Sequence, residues 1–272
     1  MSKKVLMKPD DFKVLVKQLL DEAGENQLVL RVMGALATLI QLEDSPNCLQ
    51  LYNKLGRVEA GVFQLTDLDL AAYKKQRGKI EEFFRKKGYK PDHYVNAVFG
   101  DRRAIFYHPE NLFTVDVFFS PLLFSHEIDL GSEPGKGRLE LGKYTLSPAD
   151  LLLLKLQIHD INRKDLADMA VLLSCLELSD GDETRINLQR ITSLLSDDWG
   201  FYFDAVTNLN KLKLFMQEYT SKLTEYNEIL QEGLRKIETI VDSIEKTPKS
   251  EKWIKRSKVG TKKRWYNVVE EV

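Results

Sequence analysis

Asp67 and Asp69 stand two residues apart in the apolar run 65–73. On a strand, residues two apart share a face, so both carboxylates point one way while Leu68 and Leu70 point to the core. Asp116 interrupts a second run in which Phe113, Val115, Val117 and Phe119 fall on one face and Thr114, Asp116 and Phe118 on the other. A carboxylate there is costly to bury unless it is paired or bound to a cation. Three carboxylates from two neighbouring strands make a hard oxygen site suited to Mg²⁺, which completes its shell with water and phosphate oxygens. Two such ions stabilise the attacking and leaving oxygens of a phosphoryl-type transfer. The plainer alternative is a solvent-facing Asp-x-Asp at a strand end, with Asp116 on an edge strand facing water.

The elements that must position these acids follow from periodicity. Residues 10–23 predict an amphipathic helix, with Asp10 or Asp11 as N-cap. Residues 29–33 read as a strand ending at Gly34, and 35–42 as a helix. Residues 43–63 are weakly patterned and read as loop. A strand over 65–73 is followed by a charged helix over 74–87, stopped by Gly88. Residues 94–107 and 112–119 read as strands. Ser147-Pro148-Ala149-Asp150 is a helix start, with Ser as N-cap and Pro at the first helical position. Helices are expected to about His159, from Arg163 to Leu176, and over 183–195. A single long helix is expected over 204–245, with a kink or break at Gly233. The expected class is α+β: a mixed sheet with flanking helices over 1–145, a helical domain over 146–248 and a basic tail over 249–272.

Composition narrows the function classes. The 272 residues are 43% hydrophobic and 30% charged, which argues against wholesale disorder. No apolar run approaches the roughly 20 residues of a membrane span, and the basic start lacks the apolar stretch of a secretory leader. Cys48 and Cys175 lie far apart and are read as thiols of a reducing, cytoplasmic compartment. The net charge of −1 hides an asymmetry. Residues 249–264 carry eight Lys or Arg against one acid, leaving 32 basic and 40 acidic residues elsewhere. Trp253, Trp265 and Tyr266 accompany the basic run. Three meanings stay open for it: contact with a nucleic-acid strand, docking on the acidic body, or a mobile tail. His93, His108, His126 and His159 show no metal-type spacing, and His126, Glu127 and Asp129 read as surface residues. Residues 131–137 read as a flexible hairpin or loop.

Val29-Leu30-Arg31-Val32-Met33-Gly34-Ala35-Leu36-Ala37, Thr66-Asp67-Leu68-Asp69-Leu70 and Thr114-Val115-Asp116-Val117-Phe118 together resemble the nucleotidyltransferase (DNA polymerase β-like) superfamily. Leu151-Leu152-Leu153-Leu154-Lys155-Leu156 and Arg163-Lys164-Asp165-Leu166-Ala167-Asp168 are similar to the helical region of its minimal bacterial branch, which includes the AbiEii-type toxin transferases. The resemblance covers about residues 28–176. It implies transfer of a nucleoside monophosphate from a nucleoside triphosphate, with Asp67, Asp69 and Asp116 as catalytic acids and ligands of two Mg²⁺ ions. It implies that Gly34 and Ala35 bring backbone to the triphosphate at a helix N-terminus. Ala35 departs from the usual Ser or second Gly, and the spacing from Gly34 to Asp67 is longer than the compact pattern. Lys155 and Lys164 are candidates for neutralising the triphosphate. Their alternatives are a Lys155 that snorkels to solvent and first-turn helix charges at Asp165 and Asp168. The acceptor stays open among an RNA end, a protein hydroxyl and a small molecule. Two rival classes remain: a nucleotide-binding regulatory protein without turnover, and a helical interaction protein whose acids are only structural.

Overall fold

Pro9 occupies the first helical position of α1 (Pro9–Glu25), which buries the stripe Phe12, Val16, Leu19, Leu20 and Ala23. Lys8 is its N-cap, without a side-chain bond. Asp10 and Asp11 lie in the first turn instead, where negative charge opposes the positive end of the helix dipole. The computed structural model describes residues 7–57, 66–182 and 184–269.

A short strand, β1 (Leu30–Val32), leads through Gly34 into α2 (Gly34–Gln41), in which Leu36, Ala37, Thr38, Leu39 and Ile40 are buried. The stretch expected as loop contains α3 (Pro46–Tyr52), started by proline and held by the buried Leu51 and Tyr52. The end of that stretch, and Leu65 of the expected strand, lie outside the described residues. β2 (Asp67–Tyr73) is followed by α4 (Arg77–Lys86), with Ile80, Phe83 and Phe84 buried and Gly88 beyond its end at φ +82°.

β3 (Lys90–Pro91) precedes α5 (His93–Val98), a helix where one strand over 94–107 was expected. The reason is a cap: Asp92 accepts the backbone N–H groups of Tyr94 and Val95 at 3.1 and 2.9 Å. The strand begins only at Arg103, as β4 (Arg103–Tyr107), and β5 (Thr114–Ser120) follows.

The five strands form one mixed sheet in the order β1-β2-β5-β4-β3. β2 and β5 are parallel neighbours, and the other pairs are antiparallel. Phe113, Val115, Val117 and Phe119 are buried, as their alternation requires.

Ser147 caps α6 (Pro148–Leu156), accepting the Asp150 N–H at 3.2 Å. Asn162 caps α7 (Arg163–Cys175) in the same way. A helix expected over 183–195 starts later, as α8 (Leu188–Asp197), because Leu178–Ser179 and Ile186–Asn187 pair as short parallel strands first. The long helix is two helices, α9 (Trp199–Lys222) and α10 (Asn227–Lys246), parted at residues 223–226 and not at Gly233. Gly233 is a packing glycine: a Cβ there would lie 2.5 Å from Met216 Cε and 2.7 Å from Ser174 Oγ. Its absence lets α10 close onto α7 and α9.

The basic segment contains α11 (Glu251–Ser257), which packs on α8 and α9. One apolar cluster extends from Phe12 to Ile244, so the sheet half and the helical half share a core. Cys48 and Cys175 are joined across 127 residues, linking α3 to the end of α7. This corrects the expectation of thiols: a separation of 127 residues carries no spacing signal for the pairing. Among the described residues no helix is long and apolar enough to cross a membrane. The fold is thus α+β, with a mixed sheet and many helices.

Candidate active site

The parallel register sets Asp69 directly beside Asp116, and Asp67 beside Thr114. The three acids therefore lie on one face of two adjacent strands. They do not have the same surroundings.

Asp67 is exposed and accepts a hydrogen bond from the Thr66 hydroxyl at 2.8 Å. Asp116 is buried and clamped by Arg103, whose Nε donates to both carboxylate oxygens at 2.8 Å while Nη2 adds a further bond. Burial raises the Asp116 carboxyl above its ordinary value, and Arg103 opposes the rise.

Asp69 is half-buried, and no described side chain donates a hydrogen bond to it. Its carboxyl is pushed up to about 6, first by burial and then by the negative charges of Asp116 and Asp67. Lys155 and Arg103 pull it back in part.

The turn after β1 is tied to this strand by Met33 N–H, which donates to the Asp69 carbonyl at 2.9 Å. Gly34 follows at φ +67°, a conformation that favours glycine. A Cβ at that position would stand 3.1 Å from Asp69 Oδ2. Backbone shape and close approach therefore both require glycine here. Ala35 is packed against the core and does not line the adjoining cavity.

Lys155 on α6 does not snorkel to solvent. Its side chain is only 16% exposed, and its Nζ lies 2.7 Å from Asp165 Oδ1 and 2.9 Å from Asp168 Oδ2, both on α7. Burial lowers the lysine pKa, but the two carboxylates outweigh it and hold the ammonium above its ordinary value. Asp168 is fully buried and also accepts the Tyr52 hydroxyl. Asp165 and Asp168 are thus partners of a buried cation as well as residues of the first turns of α7. Lys164 is exposed at the start of α7 and does not line the cavity.

Gly34, Asp69 and Lys155 open onto a cavity of about 630 Å³, whose wall also includes Phe118, Phe124 and Ile158. That size suits a nucleotide-sized ligand. A second cavity, of about 300 Å³, lies against Arg102 and Arg103 and shares Phe118 and Phe124 with the first.

Residues from the chain's last part complete both walls. His126, expected at the surface, is buried, with Nε2 2.7 Å from Asp204 Oδ2 and its ring stacked on Phe201. His159 Nδ1 lies 3.1 Å from Asp204 Oδ1, and Trp265 Nε1 donates to the same oxygen at 3.0 Å. Burial pushes the Asp204 carboxyl up, but hydrogen bonds from His126, Trp265 and His159 outweigh it and leave the group below its ordinary value. Asn267 N–H donates to the Ser125 carbonyl at 2.9 Å, and its side-chain amide donates to the Phe124 carbonyl at 3.1 Å. Of the three readings of the tail, docking on the body describes its described residues.

Among the described residues no group of three His, Cys, Asp or Glu side chains is disposed to hold a metal ion. The chemistry of the donors nevertheless fits Mg²⁺ at Asp67 and Asp69, since Asp69 presents an unbonded carboxylate beside a second one. Asp116 joins them only by sharing an oxygen with Arg103 or exchanging it.

Sequence reasoning missed Arg103, Tyr52 and the part of His159; it offered docking on the body for the tail but not the place of Tyr266 and Asn267 on the cavity. Arg103 had a faint signal, the doublet Arg102-Arg103 before an apolar strand. Comparison with known proteins finds no matching family model, no matching curated protein and no matching solved structure.

Proposed function

We propose that the protein is a Mg²⁺-dependent nucleotidyltransferase that moves a nucleoside monophosphate from a nucleoside triphosphate to a hydroxyl acceptor. The observation that carries this is Gly34, left-handed at the start of α2 and in close contact with Asp69, itself in register with Asp116. Gly34, the residue of the first turn of α2 that lines the cavity, brings backbone to the triphosphate, and Lys155 adds a positive charge held in place by Asp165 and Asp168. Asp67 and Asp69 would hold Mg²⁺, with Asp116 as the third acid. When bound, the ion neutralises phosphate charge. The acceptor oxygen bonds to the α-phosphorus, the bond from that phosphorus to its bridging oxygen breaks, and pyrophosphate leaves. The hydroxyl proton passes to Asp116, which Arg103 holds in position.

The acceptor class is an RNA end, a protein hydroxyl or a small molecule. For an RNA, the exposed Lys252, Lys255, Lys262 and Lys263 offer phosphate contacts, and replacing them would flatten the salt dependence of binding. We place the activity in the cytoplasm, where nucleoside triphosphates are available.

A second reading is favoured by the Arg103 clamp on Asp116: a nucleotide-binding regulatory protein without turnover. Incubation with each of the four α-labelled nucleoside triphosphates, Mg²⁺ and cell extract separates the two. Label transfer that Asp69→Asn abolishes supports the enzyme. Saturable binding without transfer supports the regulator. Absence of both overturns the nucleotide site.

A further inference from the structure

We propose that residues 265–267 form the nucleobase wall of the nucleotide pocket, so that the chain's distal segment, and not the sheet, selects the base. This rests on the nucleotide-site reading above and names where the base of that nucleotide lies.

The cavity beside Gly34 and Asp69 has a lining of two kinds. Gly34, Asp69 and Lys155 suit the phosphate and metal end of a nucleotide. His159 and Tyr266 present rings that line the same cavity. The two rings are already stacked, with centroids 3.5 Å apart and planes 15° from parallel. A planar base that continues such a stack gains dispersion and π contact whatever its sequence identity. Asn267 lines the cavity beside them and carries an amide able to both donate and accept.

This wall is built, not incidental. Trp265 fixes it from behind, through its bond to Asp204 and its edge-to-face contacts with Trp199, Phe203 and His159. Asp204 in turn holds His159, the ring on which Tyr266 stacks. Asn267 pins the following backbone to Ser125. A segment held by an indole, a carboxylate and a backbone hydrogen bond has a fixed position before any ligand arrives, which is what selection between bases requires.

The test uses the whole chain and the single variant Tyr266→Ala, whose melting temperature is checked first. Both are titrated with the Mg²⁺ complexes of ATP, CTP, GTP and UTP, and with Mg²⁺-tripolyphosphate, which lacks a base. The expected result is a loss of about tenfold in affinity for at least one nucleoside triphosphate, with tripolyphosphate affinity unchanged. Equal weakening of nucleotide and tripolyphosphate would mean a merely structural role and overturns the proposal. So does unchanged nucleotide affinity, and in both cases the phosphate site stands. If the intact chain binds neither probe, the nucleotide site itself fails and the wall with it. Tyr266→Phe in the full chain keeps the ring and supplies a second check: nucleotide affinity within about twofold of the native value supports the wall, whereas a loss equal to that of Tyr266→Ala overturns it.

Discussion

Asp69→Asn should stabilise the fold at neutral pH while destroying the site. The carboxyl is raised from 3.8 to about 6 by burial and by Asp116 and Asp67. A group bound more weakly to its proton in the unfolded chain than in the folded one adds stability at low pH and loses it as pH rises through the folded value. Ionised Asp69 therefore costs about 3 kcal/mol at pH 7.5, at about 1.4 kcal/mol per unit. Asparagine keeps the shape and removes the charge but leaves a half-buried amide to be hydrogen-bonded, so a gain of about 2 kcal/mol is expected. For a chain of this size that is a rise of roughly 4–8 °C in melting temperature. The measurement is paired urea and thermal melts in EDTA between pH 4 and 8. The gap should be full above pH 6 to 7, shrink through that value and close near pH 4. Adding Mg²⁺ should stabilise the native protein and leave the variant unmoved. A variant no more stable than the native protein at pH 7.5, or a gap independent of pH, would refute the idea that Asp69 is held ionised at a cost.

Gly34→Val forces a β-branched residue to positive φ against Asp69, and should lower stability by about 1–3 kcal/mol and remove Mg²⁺-nucleotide binding, read by calorimetric titration. Lys155→Met removes the ammonium that bridges Asp165 and the fully buried Asp168, so urea unfolding should show a loss of about 3 kcal/mol. Gly233→Val pushes a side chain into Ser174 and Met216, and a loss of about 1–3 kcal/mol is expected in thermal melts. The Cys48–Cys175 bond should be found intact by alkylation in acid-quenched cells followed by mass spectrometry, and free thiols there would show that the working protein does not carry it.

The pattern of alternation made β5 legible to within two residues at each end, because one of its faces is wholly apolar and the other is not. The Ser147 start of α6 was legible for a similar reason: the cap is a local matter of one hydroxyl and one N–H. Where the outcome depended on contacts from afar, the sequence was silent. The α3 segment reads as loop by its own residues and is a helix because Leu51 and Tyr52 are buried. Gly233 looks like a helix breaker until Ser174 and Met216 are seen against it. The helix break at 223–226 carried no glycine or proline to mark it. At the candidate site, type and spacing put the three acids on neighbouring strands, and the register sets Asp69 beside Asp116. Their tuning was not legible, since Arg103 reaches Asp116 from a neighbouring strand and Lys155 finds Asp168 across a helix pair. His126 was misjudged because Asp204, its partner, lies 78 residues away.

The position of Tyr266 and Asn267 on the cavity also sets an order of events during synthesis. The Gly34 turn and all five strands leave the ribosome by residue 120, yet the opposite wall waits for about 150 further residues. At 5–20 residues per second, that is an interval of roughly 7–30 s. For that interval the nascent chain carries its acids and its glycine turn with one side of the pocket missing. Any ligand that needs both sides finds them together only after Tyr266 and Asn267 have been made.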